Sequence, residues 1–242
     1  MRYNGIDPRT LHSAIGIAKE IPPGISGREV VTVRGTAAEH YAGIEEQRSE
    51  YRIKINIAAR SPEEAWRVRA LLARWAAGNG RPAPLEPGKW PGMAYDAVVK
   101  GISPPEFVRG FATVEVVFVL PDGAAYEIRT SRANGTGGST NMFVDGSETV
   151  HPVISQKMNG ASNRLVWSLN GAPLLMLNKT VNSGSTVEMD LQNGSLTIDG
   201  VHVEADADWT ATDWQPAFQP GQHKISSSNA GEMQVRWHNR WK

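Results

Sequence analysis

Tyr51, Ile53, Ile55 and Ile57 alternate with Arg52, Lys54 and Asn56. This period of two predicts a strand with one face buried and one wet. Shorter strands are expected over residues 29–34 and 94–100, and a longer, more buried one over 111–120, closed by the turn residues Pro121-Asp122-Gly123. Between them the period changes. Val68, Leu71, Leu72 and Trp75 fall at i, i+3, i+4 and i+7, which predicts a helix with an apolar stripe. Ser61, Pro62 and Glu64 supply an N-cap, an N1 proline and a capping-box acid, so the helix should run over about 62–77. Gly78 is placed to end it in the left-handed conformation. The first part of the chain therefore reads as a β-sheet or barrel-like domain with one helix packed across it, in the α+β manner.

Further along, the helical period disappears. Val187, Met189 and Leu191 alternate with Glu188 and Asp190, and Met233, Val235 and Trp237 with Gln234, Arg236 and His238. Four dipeptides punctuate this region: Asn159-Gly160, Asn170-Gly171, Asn193-Gly194 and Asp199-Gly200. Each has the chemistry of a type I′ hairpin turn, which needs positive φ at both central residues. Many short strands at this spacing predict an all-β antiparallel sandwich. Ala133-Asn134-Gly135-Thr136-Gly137-Gly138-Ser139-Thr140-Asn141 separates the two patterns and is expected to be a linker, its three glycines raising the cost of ordering it. The expected domains are thus 1–132, the linker 133–141, and 142–242.

Charge sharpens that division. The whole chain has 25 basic and 25 acidic residues. Residues 1–132 hold 18 against 15, and residues 133–242 hold 7 against 10. Zero net charge argues against a protein whose main task is to grip nucleic acid or an anionic membrane. No apolar run is long enough to span a bilayer, so no membrane insertion is expected. The amino terminus lacks the apolar stretch of a secretory signal, which predicts a soluble protein made in a cytoplasm. The chain has no cysteine, which removes disulfides, thiolate metal sites and thiol nucleophiles.

A search for chemistry returns no catalytic, cofactor or metal constellation. The six histidines are scattered, and no HExxH, nucleophile elbow or phosphate loop occurs. Asp206-Ala207-Asp208 could grip a hard cation if extended, but a single Asp-x-Asp reads better as a solvated loop. Trp209 and Trp214, with Phe218 nearby, suggest a sugar-stacking surface on a sandwich. The reading favoured over it is that these rings plug the end of the sandwich or bury at an interface between copies.

The order of these features resembles that of the distal tail proteins of long-tailed phages, the siphovirus Dit family. The resemblance spans nearly the whole chain. It starts with a short strand region at 3–7 and the Pro-Gly segment 22–28, then the alternating strand 51–59 and the Ser-Pro-Glu-Glu helix with Trp75. The strands at 95–100 and 111–120 follow, with a Pro-Asp turn before Tyr126. In the second half it rests on Met189-Asp190-Leu191, on Gly194-Ser195-Leu196-Thr197-Ile198-Asp199-Gly200-Val201, and on the stretch from Trp214-Gln215-Pro216-Ala217-Phe218 to Pro220-Gly221-Gln222-His223. His223 stands where the family commonly has Asn. The resemblance implies a galectin-like carboxy-terminal sandwich and a non-enzymatic role at the tail tip of the virion. It implies a six-membered homo-oligomeric ring that joins the tail tube protein to the tail-associated baseplate hub protein. Genome DNA would pass through without specific binding, and a receptor-binding protein or host glycan could attach outside. The competing reading is a carbohydrate-binding module on an adaptor domain.

Overall fold

The computed structural model describes residues 1–23, 28–34, 39–46, 49–78 and 80–242, with the backbone alone for 28–34 and 39–46. The Pro-Gly segment 22–28 therefore lies partly outside the described residues. The chain divides into two compact units, residues 1–125 with Lys242, and residues 126–241.

In chain order the first unit contains β1 (Arg2–Tyr3), β2 (Ile15–Ile21), β3 (Arg28–Arg34), β4 (Glu39–Glu46) and β5 (Ser49–Ala58). Then come α1 (Pro62–Ala77), β6 (Ala83–Glu86), β7 (Met93–Ile102), β8 (Glu106–Val108) and β9 (Phe111–Leu120). The main sheet has the order β1-β6-β7-β9-β5-β2, with β8 paired to β9, while β3 and β4 pair with each other. It is an open sheet. The barrel-like reading is corrected here, because among the described residues the end strands β1 and β2 pair inward with β6 and β5 and not with each other.

Alternation in β5 places Tyr51, Ile53, Ile55 and Ile57 on one face, in register with Phe118, Val116, Val114 and Ala112 of β9. All eight are buried. Helix α1 covers this face with Ala65, Val68, Leu72 and Trp75. Leu71, expected in the apolar stripe, is exposed, because the buried stripe is centred on Val68, Leu72 and Trp75. Ser61 Oγ accepts the Glu64 N–H, and Glu64 Oε2 reaches back to the Arg60 N–H, so the capping box closes one residue earlier than its usual form. The helix ends at Gly78 with φ 49° and ψ −147°, a positive φ outside the left-handed helical region. Tyr3, Trp75 and Phe118 meet edge to face at centroid distances of 4.9 to 6.2 Å. A buried acid holds the other end of the sheet, where Glu20 Oε2 accepts both the Tyr51 hydroxyl and the Gly88 N–H at 2.9 Å.

The boundary between the units falls within β10 (Ala125–Glu127). The second unit has β11 (Ser131–Gly135), β12 (Ser139–Val144), β13 (Val153–Met158), β14 (Leu165–Leu169), β15 (Ala172–Leu177) and β16 (Thr186–Asp190). After these run β17 (Ser195–Ile198), β18 (Val201–His202), β19 (Gly221–Ser227), β20 (Gly231–Trp237) and β21 (Arg240–Trp241). Two antiparallel sheets, β11-β20-β13-β16-β17-β18 and β12-β19-β14-β15, enclose a core that includes Ile154, Trp167, Leu175, Met189, Ile225 and Val235. Asn170-Gly171 and Asp199-Gly200 have positive φ at both residues and form the expected two-residue turns. Asn193-Gly194 has it only at the glycine, within a longer loop, and Gly160 is not at positive φ.

Of residues 133–141, expected as a linker, 133–135 lie in β11 and 139–141 in β12, with only 136–138 turning between them. β11 pairs with β20 in one sheet, and β12 with β19 in the other. One long strand pair therefore bends from sheet to sheet, and its corner lies at Gly135–Gly138 and Ser227–Gly231. Gly138 N donates to Gly231 O, and Ser227 N to Gly138 O. A Cβ at Gly138 would clash with Asn229 O, and one at Gly231 with Lys157 O. Composition makes the glycines of 133–141 a source of freedom; in the fold Gly135 and Gly138 permit close backbone approach. Gln156, fully buried beside the corner, accepts the Trp167 indole N–H at 2.6 Å and donates to Asn229 O at 2.8 Å.

Two expectations follow. Gly138→Ala meets both the Asn229 carbonyl and a φ of +81°, and should lower unfolding free energy by about 2–4 kcal/mol. Gly137→Ala, with φ +69° and open space, should cost only about 1 kcal/mol. Equal small losses in urea titrations would mean that the corner is loose. The second concerns pH. Glu204 Oε1 accepts the Leu196 N–H at 2.9 Å and pairs with His202 Nδ1 at 2.7 Å. The His202 contact first, then the backbone N–H, pull its carboxyl down from 4.5 to about 2. A depressed carboxyl stabilises the fold above its unfolded value and loses that contribution as pH falls through the folded one. Glu204→Gln should therefore be less stable than the parent near neutral pH, with the gap closing between about 4.5 and 2. A pH-independent gap would contradict the assignment.

Candidate interaction surface

The segment between β18 and β19 carries all three aromatic residues singled out from the sequence. It opens with a 3₁₀ turn at Glu204–Asp206 and then runs along the outer edge of β15. Asp208 N donates to Met176 O at 2.8 Å, Asp213 N to Leu174 O at 3.0 Å, and Asn178 N to Asp206 O at 3.1 Å. Met176 N in turn donates to Thr212 Oγ1 at 3.1 Å. The loop thus takes up backbone groups that an edge strand would leave open.

Within it, Asp208 Oδ1 accepts from Thr210 N, Thr210 Oγ1 and Ala211 N. These bonds, the Thr210 hydroxyl foremost, hold its carboxyl below the usual carboxylate range. Asp206 instead pairs with Lys179 at 2.5 Å. The two acids therefore serve separate partners. Among the described residues no group of three or more His, Asp or Glu could hold a metal ion.

This tight turn lifts Trp209 to the surface, 62% exposed. Its ring lies 5.0 Å from that of Trp214 at an interplanar angle of 31°. Trp214 is half-buried against the sandwich core, and its indole N–H is buried without a hydrogen-bond partner. Beside it opens a groove of about 500 Å³, whose polar lining includes Thr149, His151, Gln192 and Gln215. Phe218 does not join the pair. It is fully buried in the core, 5.4 Å from the His223 ring, and its carbonyl accepts the Val150 N–H. His223, at the position where the resemblance suggested Asn, contacts Gln219 O through Nε2 and Asn170 Nδ2 through Nδ1. It thereby pins two loops together.

The first unit offers a second kind of surface. On the face of the sheet away from α1, Glu50 takes Arg52 at 2.7 Å and Lys100 at 2.5 Å, and Arg52 reaches Glu115 at 3.5 Å. Lys100 above all, then Arg52, lower the Glu50 carboxyl. The β8–β9 hairpin is tipped by Val108 and Phe111, 69% and 60% exposed, flanking Arg109 at φ 42° and Gly110 at φ 87°. On α1, exposed Trp66 stacks under the Arg69 guanidinium at 5.2 Å. This hairpin gives no clear signal in the sequence, because Arg109-Gly110 is not one of the dipeptides that mark a two-residue turn.

Residues 145–241 match the family of siphovirus-type tail component C-terminal domains. No curated protein matches the sequence. Among solved structures, the chain is similar to the Dit protein of phage SPP1, a hub of the adsorption apparatus in phages infecting Gram-positive bacteria. The TM-score is 0.81 at 12% identity, covering 99% of this chain and 98% of that one. It is also similar to chains of the phage P2 baseplate in its activated conformation with Ca and with Sr. There the TM-scores are 0.54 and 0.53, at 6% and 8% identity, covering 93% of this chain and 90% of each. Residues 145–241 thus match the family's carboxy-terminal domain, and the fold along the whole chain is that of the SPP1 Dit protein.

Proposed function

We propose that this protein is a structural hub at the distal end of a phage tail. Its copies close into a ring, six by family resemblance, that joins the tail tube to the baseplate or tail-fibre hub around a channel for DNA. The observation that carries this reading is the likeness to the SPP1 Dit hub over both units at once, together with the tail-component family in the second. A likeness confined to one unit would have fitted an isolated binding module equally well.

The surface chemistry of the first unit is compatible with that role. A ring needs a heterologous contact whose two halves differ, repeated until it closes. Exposed Val108 and Phe111 at a hairpin tip, and Trp66 beside basic residues on α1, are the apolar and charged elements such a contact uses. The sheet face away from α1 ties Arg52 and Lys100 to Glu50 and Glu115. A lumen of this kind carries compensated charge, and duplex DNA would slide past it, because each unpaired cation would add a salt-sensitive phosphate contact. The role is geometric, and no bond-breaking step is assigned to it.

The test is assembly. Sedimentation and negative-stain imaging of the purified full chain, alone and with its tail-tube and baseplate neighbours, should show closed rings. Single copies under every one of those conditions would overturn the reading.

A further inference from the structure

We propose that in the ring the outer face of α1 receives the β3–β4 strand pair of the next copy, with Arg67 and Arg74 meeting Glu29 and Glu45. This pairing rests on the ring reading given above and supplies the two unlike surfaces that a head-to-tail contact requires. α1 packs on β5, β7 and β9 of its own chain and turns the opposite face to water. Trp66, Arg67, Ala70, Leu71 and Arg74 are all exposed there, three or four positions apart and so on one side of the helix. Trp66 is 51% exposed yet held in place. The Arg69 guanidinium lies 5.2 Å from its ring and donates through Nε to Ser103 O at 2.8 Å and through Nη2 to Ile102 O at 2.9 Å. A ring fixed in advance loses little freedom on binding, and Trp and Arg are among the residues that most often anchor a protein contact.

Charge names the occupant. Residues 60–81 hold five Arg, no Lys and two Glu, which is the whole positive excess of residues 1–132. Glu64 is already taken by the Arg60 N–H. Among the described residues neither Arg67 nor Arg74 forms an ion pair. On the far side of the sheet, by contrast, Arg52 and Lys100 are both matched by Glu50. The carboxylates stand in β4, which has three Glu and neither Lys nor Arg. Among the described residues β3 and β4 pair only with each other, and a lone strand pair is marginal in water until it lies on something. Their register sets Arg28 opposite Glu46 and Arg34 opposite Glu39, but Glu29 directly opposite Glu45. Like charges so placed oppose the pairing. Two arginines from outside would reverse that, each guanidinium able to take a carboxylate in a two-pronged bond. The strand pair also carries Val30, Val31, Val33 and Ile44, the apolar content that Trp66 and Leu71 call for. Duplex DNA would answer the arginines and leave those two in water.

The experiment follows assembly of the full chain by sedimentation velocity and negative-stain imaging. The parent should close into rings. Arg67→Glu with Arg74→Glu, and separately Glu29→Arg with Glu45→Arg, should each raise the concentration needed for assembly by roughly tenfold or more. An equal mixture of the two should form rings again, because each reversed surface then meets its complement on the other variant. Restoration by mixing also shows that both variants fold. Where a reversed variant does not fold, Arg67→Gln with Arg74→Gln removes the charge without reversing it and should weaken assembly in the same direction. Trp66→Ala should weaken it too, with the parent's urea midpoint kept. The proposal fails if the parent forms rings and the helix variants do so equally well, or if both reversed variants are folded and their mixture stays in single copies. It also fails if the helix variants keep the rings and instead lose a tail-tube or baseplate neighbour, or binding to duplex DNA, either of which would give the face another partner. In all these outcomes the hub stands. A parent that never closes, even beside its tail neighbours, would overturn the hub and this contact with it.

Discussion

The corner where one strand pair passes between the two sheets of the second unit governs the rest of that unit. β11 and β12 are successive stretches of one strand, as are β19 and β20, and the bend brings backbone against backbone at Gly138, Asn229 and Gly231. Side chains at the glycines would force these carbonyls apart, and the two sheets could not share the core around Trp167. Beneath the corner, fully buried Gln156 bonds both the Trp167 indole and the Asn229 carbonyl and ties the bend to the core. Buried amides are tolerated only when their partners are present in this way.

From this frame the loop between β18 and β19 takes its stiffness. β14, which carries Trp167, pairs with β15, and β15 holds the loop bearing Trp209 through main-chain bonds. A chain of ordinary hydrogen bonds thus runs from the core to an exposed ring. The first unit arranges matters differently. There a helix closes one face of an open sheet, and the exposed apolar residues sit on a hairpin tip and on the outer side of the helix.

What could be read in the sequence was what depends on local periodicity. The strict alternation at Tyr51, Ile53, Ile55 and Ile57 fixed a strand and its buried face, and the Ser61-Pro62-Glu64 cap fixed where the helix begins. Asn170-Gly171 and Asp199-Gly200 were legible because a two-residue turn needs only its own φ angles. What was misread depends on distant partners. Gly135, Gly137 and Gly138 look alike in composition, yet Gly137 has open space while a Cβ on either of the others would collide with a carbonyl. Closure of the first sheet could not be inferred, since alternation tells which face is buried and not which strands are edges. The aromatic site was half legible. Trp209 and Trp214 do meet, but Phe218 sits in the core, because the turn at Asp208 and the pairing of Val150 with Phe218 set the ring directions. Gln156 gave no signal, since a lone glutamine in a strand looks like any wet position.

The loop laid along β15 has a consequence for crowding. Where many identical sandwiches are held side by side, a bare strand margin invites the next molecule to continue the ladder, and growth of that kind has no natural end. Residues 206–213 occupy that margin with their own amides. Neighbours approaching from that side must therefore meet side chains and loops, whose shapes are particular, and not a repeating backbone that would accept almost any strand. Open-ended stacking through that margin is thereby closed off.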